Sequence, residues 1–187
     1  MSGSQITIPT TVTGLQGRGI APSAPTNGQA LVFSSGTQLW TPGAPQMGVT
    51  DGSNAAAGEV GQYLTASSAS PISASNVTNV DITSLSLSPG DWNVWGQVQW
   101  NGSTSNLANL QGWVNSVSAT APSAAIGTVG FFIFIPGTAN AVSTMSFSTG
   151  SRVFSISSAA TVYLGGLAQF STGTATVSGQ ICARRVR

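Results

Sequence analysis

From Asp91 to Trp100 the chain reads DWNVWGQVQW, which places Trp92, Val94, Gly96, Val98 and Trp100 on one face and Asn93, Trp95, Gln97 and Gln99 on the other. A period of two is the signature of a half-buried strand. Leu85 and Leu87 alternate with Ser84, Ser86 and Ser88 in the same way, and Pro89-Gly90-Asp91 carries turn chemistry, so a hairpin is predicted here. Near the C-terminus Ala175, Val177, Gly179 and Ile181 alternate with Thr174, Thr176, Ser178 and Gln180, predicting a strand that runs to the chain end. Apolar segments bounded by Gly, Pro, Asn or Ser add further strands, giving 62–66, 80–87, 92–100, 110–117, 128–135, 142–147, 152–156, 161–170 and 175–186. Nothing in this region repeats with a helical period, so the expectation is an antiparallel, jelly-roll-like β-sandwich. Gly165-Gly166 within an apolar strand predicts a bulge or a close backbone approach.

The N-terminal third differs. NGQALVFSSGTQLWTPGAP, residues 27–45, has two short apolar segments, Ala30–Phe33 and Thr37–Trp40, separated by Ser34-Ser35-Gly36. That spacing predicts a hairpin. An isolated hairpin is marginal in water, so Leu31, Phe33, Leu39 and Trp40 need an outside surface, and other copies of the chain are the nearest supply. Residues 46–60 read as a linker. Residues 1–26 hold Pro9, Pro22 and Pro25 and β-branched pairs such as Ile6 with Ile8. They suit either a flexible tail or an extended arm that borrows a partner's hydrogen-bonding edge, with Ile6, Ile8, Pro9 and Leu15 as its contact residues. The organisation expected is an arm (1–26), a short β shaft with linker (27–60) and a sandwich head (61–187).

Composition changes the picture most through charge. Only 5% of the 187 residues are charged, against roughly 25% in an ordinary soluble domain. There is no Lys or His; the ions are Arg18, Arg152, Arg184, Arg185 and Arg187 against Asp51, Glu59, Asp81 and Asp91. The polar surface is drawn from 28 Ser and 21 Thr. Soluble monomers keep their sheet edges apart with Lys and other charges, so a chain without them is expected to be an oligomer. A net charge of +1 makes no case for nucleic acid. The most apolar stretch, AAIGTVGFFIFIP from Ala124 to Pro136, is far shorter than the ~20 residues of a membrane-crossing helix. No membrane insertion is expected, and the first twenty residues lack the pattern of a secretory signal.

Candidate chemistry is sparse. Without His or Lys, Cys182 and the serines have no conventional base, and Cys182 reads as a small buried strand residue. A glycosidase pair would have to come from four carboxylates that turn, linker and strand-edge positions already explain. No clustering meets the needs of zinc or calcium. No catalytic residue, metal or cofactor is therefore expected. Two features remain open. Arg184, Arg185 and Arg187 could clamp phosphates or acidic sugars, or pair with carboxylates of a neighbouring subunit. Trp95, the one aromatic on the polar face of its strand, suits either stacking on a sugar ring or burial between subunits.

The string TSLSLSPGDWNVWGQVQW, with GEVGQYLTAS before it and TVSGQICARRVR at the end, resembles the C-terminal domain of bacteriophage fibre and head-fibre structural proteins. NGQALVFSSGTQLWTPGAP, with Trp40, Thr41 and Pro42 as a Trp-x-Pro element, is similar to the β-segments that precede such domains. The resemblance implies a virion-surface protein, trimeric about one axis, with its thin N-terminal part fixed to a capsid or tail protein and its sandwich head facing outward. Adhesion to a host-surface glycan is the task expected of the head. Trimeric symmetry comes from the resemblance alone; the residues ask only for copies. The rival readings are a capsid decoration protein, or a carbohydrate-binding module or small glycan hydrolase on the same sandwich.

Overall fold

A computed structural model describes residues 14–43, 53–102, 107–122, 144–170 and 172–187, together with the backbone of 131–134. Every regular element among them is a strand. The chain separates into two units, 1–47 and 48–187.

In the first unit β1 (Gly14–Leu15) pairs with β2 (Arg18–Gly19), and β3 (Ala30–Ser34) pairs with β4 (Leu39–Gly43). Gln16 and Gly17 both adopt positive φ, the conformation that closes a two-residue hairpin. Leu15 and its neighbours, expected to lie in an extended arm, therefore turn back on themselves; Ile6, Ile8 and Pro9 lie outside the described residues. The predicted 27–45 hairpin is present, with its second strand beginning two residues later than the apolar run. Gln38 takes the left-handed conformation (φ 57°) and its amide donates to the Ser35 carbonyl at 2.6 Å, so the turn consumes Thr37 and Gln38.

The described residues of the second unit form ten strands in two sheets. β7 (Val80–Leu87), β13 (Ala160–Phe170), β9 (Leu107–Asn115) and β10 (Phe131–Phe134) form a four-stranded sheet in the order β10-β9-β13-β7. The other sheet centres on β8 (Gly90–Asn101) and β14 (Ala175–Arg185), paired over ten positions. One flank of β8 is taken by β11 (Thr144–Ser148) and then β12 (Arg152–Ile156). One flank of β14 is taken by β5 (Tyr63–Ser67) and then β6 (Ile72–Ala74). β5 with β6, and β11 with β12, thus act as two interrupted lines. Counting each as one strand gives eight lines in chain order, arranged 1-8-3-6 and 2-7-4-5, the strand order of a jelly roll.

The core lies between the sheets. Trp92, Val94, Val98 and Trp100 from β8, and Val177 and Ile181 from β14, face Leu87, Leu110, Val162 and Leu164 from the opposite sheet, all essentially inaccessible. The alternation read from Asp91 to Trp100 is realised residue by residue. Two of the buried indoles donate to backbone oxygens: Trp92 Nε1 to Ser88 O at 2.9 Å and Trp100 Nε1 to Gln111 O at 3.3 Å.

One expectation is overturned. β7 and β8 do not form a hairpin: β7 pairs with β13, and β8 with β14, β11 and β12. The chain crosses from one sheet to the other between them. Pro89 lacks an amide for a ladder, and Gly90 adopts φ 137°, outside the range of other residues, which swings β8 across the sandwich. Leu87 and Trp92 both still point to the same core, because facing sheets share an interior as paired strands do.

Glycines set how closely the layers approach. Leu164, fully buried on β13, seats over Gly96 and Gly179 of β8 and β14; a Cβ on Gly179 would stand 2.6 Å from Gln97 O and 2.8 Å from Leu164 Cδ2. The expected irregularity at Gly165-Gly166 is also found, as a register shift between Leu164 and Gly165. Trp113 crosses over Gly165 and Trp100 against Gly166, where side chains would collide. The stretch read as linker is partly tied to the sandwich: Asn54 binds Tyr63 at both its amide and carbonyl (2.7 and 2.8 Å), and Ala55 is buried.

Candidate functional site

Residues paired directly across antiparallel strands share a face, so the outer surface of the six-stranded sheet can be written as rows across it. One row runs Ser148, Gln97, Gln180, Ser67; the next runs Ser146, Gln99, Ser178; a third runs Thr144, Asn101, Thr176, Ser73. None of these positions is ionisable. Between the first two rows the pair Val98 and Gly179 turns inward, leaving a backbone-floored trough of about 380 Å³. Its walls are Ser67, Ser68, Gln97, Gln99, Ser146, Ser178 and Gln180. Gln99 is held by its amide donating to Ser146 Oγ at 3.1 Å. Ser68 fixes one bank, its amide donating to Gly179 O at 2.9 Å while Gly179 N donates to Ser68 Oγ at 3.1 Å.

Two residues along β8 from Gln97, the same face changes character. Trp95 is half-buried and its ring lies 6.0 Å from that of Tyr63 on β5, tilted by 32°. Cys182, opposite Trp95 in the register, is buried beneath this pair. A hydrogen bond with the Cys182 thiol, aided by desolvation, pushes the Tyr63 phenol above its ordinary pKa. Cys182 is therefore the small buried strand residue the sequence suggested, although it lies on the outer face.

The structure separates the three arginines that sequence reasoning grouped. Arg184 is exposed on the outer face, across from Asn93 and Tyr63. Arg185 points inward and is only 6% exposed. Its guanidinium donates to Pro89 O (2.7 Å) and Ser88 Oγ (2.6 Å) and lies 4.6 Å from the Trp92 ring. This cation is consumed within its own chain, so it does not reach a glycan or a neighbouring subunit. Arg187 pairs with Asp91 of its own chain. A hydrogen bond from Ser155 first, and the Arg187 charge after it, hold the Asp91 carboxyl below the usual carboxylate range.

The described carboxylates, Glu59, Asp81 and Asp91, have separate local roles. Asp81 accepts from Ala119 N at 2.8 Å and from the Ser118 hydroxyl, and Glu59 accepts from Ala56 N at 3.3 Å. Among the described residues no group of three or more His, Cys, Asp or Glu could hold a metal ion.

In the first unit, Leu31, Phe33, Leu39 and Trp40 come together as one hairpin. The Phe33 and Trp40 rings meet edge to face at 5.4 Å, and Trp40 Nε1 donates to Leu15 O at 3.2 Å. Yet no described residue of this unit is buried, and Leu31, Val32 and Phe33 are each about 40% exposed (45%, 42% and 39%).

No protein-family model matches the chain, and no curated protein is similar to it. Partial similarity to solved structures is found. The VP2 subviral particle of infectious bursal disease virus superposes with a TM-score of 0.39 at 13% identity, over 67% of this chain and 32% of that one. A structure of the Gx strain of the same virus gives 0.40 at 10% identity, over 76% and 38%. The chain thus spans about a third of the length of these structures. Likeness of this degree carries no inference about function.

Proposed function

We propose that the chain is a structural subunit of a virus particle: a homotrimeric fibre or spike of a bacteriophage, fixed to a capsid or tail protein through its first residues. The jelly roll is its outward head and adheres to host-surface glycans. It has no catalytic role. One observation carries the reading: the first unit has no buried residue among those described, and its hairpin presents Leu31, Val32 and Phe33 to solvent. An uncharged hairpin of that kind needs a surface from outside itself to gain a core, and sister hairpins about a common axis supply one. The resemblance of residues 27–45 and 59–187 to fibre proteins points the same way, and the 5% charge content suits a surface largely covered in an assembly.

Native mass measurement tests the assembly, with three times 18.8 kDa expected. Replacing Leu31 and Phe33 with Ser should yield monomers whose head stays folded. A wild-type chain that remains monomeric at micromolar concentration would defeat the reading. Removing residues 1–26 should leave a folded head that no longer enters particles; undiminished incorporation would remove the attachment role.

A further inference from the structure

We propose that the trough across β8 and β14 is a binding site for a neutral glycan, with Gln97, Gln99, Ser178 and Gln180 making its polar contacts. The proposal rests on the adhesive reading of the head and adds the place and the ligand class. Its walls are amides and hydroxyls only. Such groups both donate and accept, as do the hydroxyls of a sugar, whereas a carboxylate or an ammonium does only one. Gln99 is pre-set by Ser146, while among the described residues no hydrogen bond engages the side chains of Gln97, Ser178 or Gln180. The floor is backbone at Val98 and Gly179, so a flat ring can lie between two rows of side chains. At about 380 Å³ the trough falls at the lower end of small-ligand sites.

Charge placement excludes the acidic sugars that the arginine cluster invited. Arg185 is spent on Pro89, Ser88 and Trp92, and Arg187 on Asp91. Arg184 shares the face but lies four residues beyond Gln180, roughly 13 Å along the strand. Trp95, opposite Cys182, stands between, and with Tyr63 beside it makes an aromatic step on which a second ring of a longer glycan can stack. A second copy of the chain fits this surface poorly. Permanent subunit contacts have an apolar core, and the two rows bordering the trough present none. The exposed hairpin of the first unit offers that chemistry instead.

The test uses the full chain on an array of neutral hexose and N-acetylhexosamine oligosaccharides beside uronic-acid and phosphate-bearing ones. Wild type should bind neutral members. Gln97→Ala with Gln180→Ala should weaken that binding at least tenfold without changing the melting midpoint or the native mass, and Arg184→Ala should leave it unchanged. Binding confined to acidic members, or neutral binding that survives the double substitution, would overturn the trough while leaving adhesion standing. A double variant that falls apart into monomers would make the trough a subunit contact and overturn it as well. Adsorption of particles lacking the chain, if undiminished, would end the adhesive reading itself.

Discussion

Leu164 projects from β13 onto two glycines of the opposite sheet, and the two contacts predict different outcomes for the same added methyl group. A Cβ at Gly179 would stand 2.6 Å from Gln97 O. Carbon–oxygen contacts are comfortable from about 3.3 Å, an overlap of roughly 0.7 Å. That oxygen belongs to the centre of the β8–β14 ladder and cannot recede without breaking it. At Gly96 the nearest obstacle is the Leu164 side chain, and the next is Gln180 O at 3.3 Å. Each Gly→Ala substitution should cost about 1–3 kcal/mol by overpacking. With a urea slope of about 2 kcal/mol/M, the unfolding midpoint falls by about 0.5–1.5 M. Leu164→Ala alone should cost about 2–5 kcal/mol through the cavity it leaves. Combining it with Gly96→Ala should be cheaper than the sum by about 1 kcal/mol or more, because the clash disappears and the new methyl fills part of the cavity. Combining it with Gly179→Ala should leave most of the backbone overlap in place. The assay is a set of urea midpoints for wild type, three single and two double variants. A Gly179→Ala variant within about 0.5 kcal/mol of wild type, or equal relief of both glycine variants by Leu164→Ala, would refute this description of the layer contact.

Arg185→Ala strips the cation from Pro89, Ser88 and Trp92 and should destabilise the sandwich by about 2–4 kcal/mol, whereas Arg184→Ala should stay within about 0.5 kcal/mol; thermal melts of the pair check the contrast. Asp91 has a folded pKa below its unfolded value, so its contribution is complete above the unfolded value, near 3.9, and disappears as pH falls through the folded one. Urea midpoints should therefore decline below about pH 4, and Asp91→Asn should flatten that part of the profile; an identical acid profile in the variant would remove Asp91 from it. The tests of the hairpin and of the trough are those given with each proposal.

The strands were legible because they are two-faced. β7 and β12 fall at their predicted bounds, and β8 and β14 expose and bury the residues that alternation assigned. Alternation fixes which way a side chain points but not which strand lies alongside, and this is why β7 and β8 read as a hairpin. A Pro-Gly step serves a tight turn and a crossover between sheets equally well. β6, three residues long, is too short to show a period. The trough was hidden for a related reason: its walls come from β5, β8, β11 and β14, and no local signal joins Ser67 to Gln97 or Ser146. The same holds for Arg185, whose partners lie 96 and 97 residues away, so that three neighbouring arginines looked alike until register and burial distinguished them. Trp95 was visible as an aromatic on a polar face, but its neighbour Tyr63 was not.

Both borders of the six-stranded sheet are interrupted, at Thr149, which trades hydrogen bonds with Gly96 (2.8 and 2.9 Å), and at Ser68, which does so with Gly179. Among the described residues no segment along either border exceeds five residues. A foreign strand arriving at such a margin finds no continuous template on which to zip. Crowded shoulder to shoulder, many heads can then remain separate bodies without the lysine guards that other β-proteins use against fibril growth.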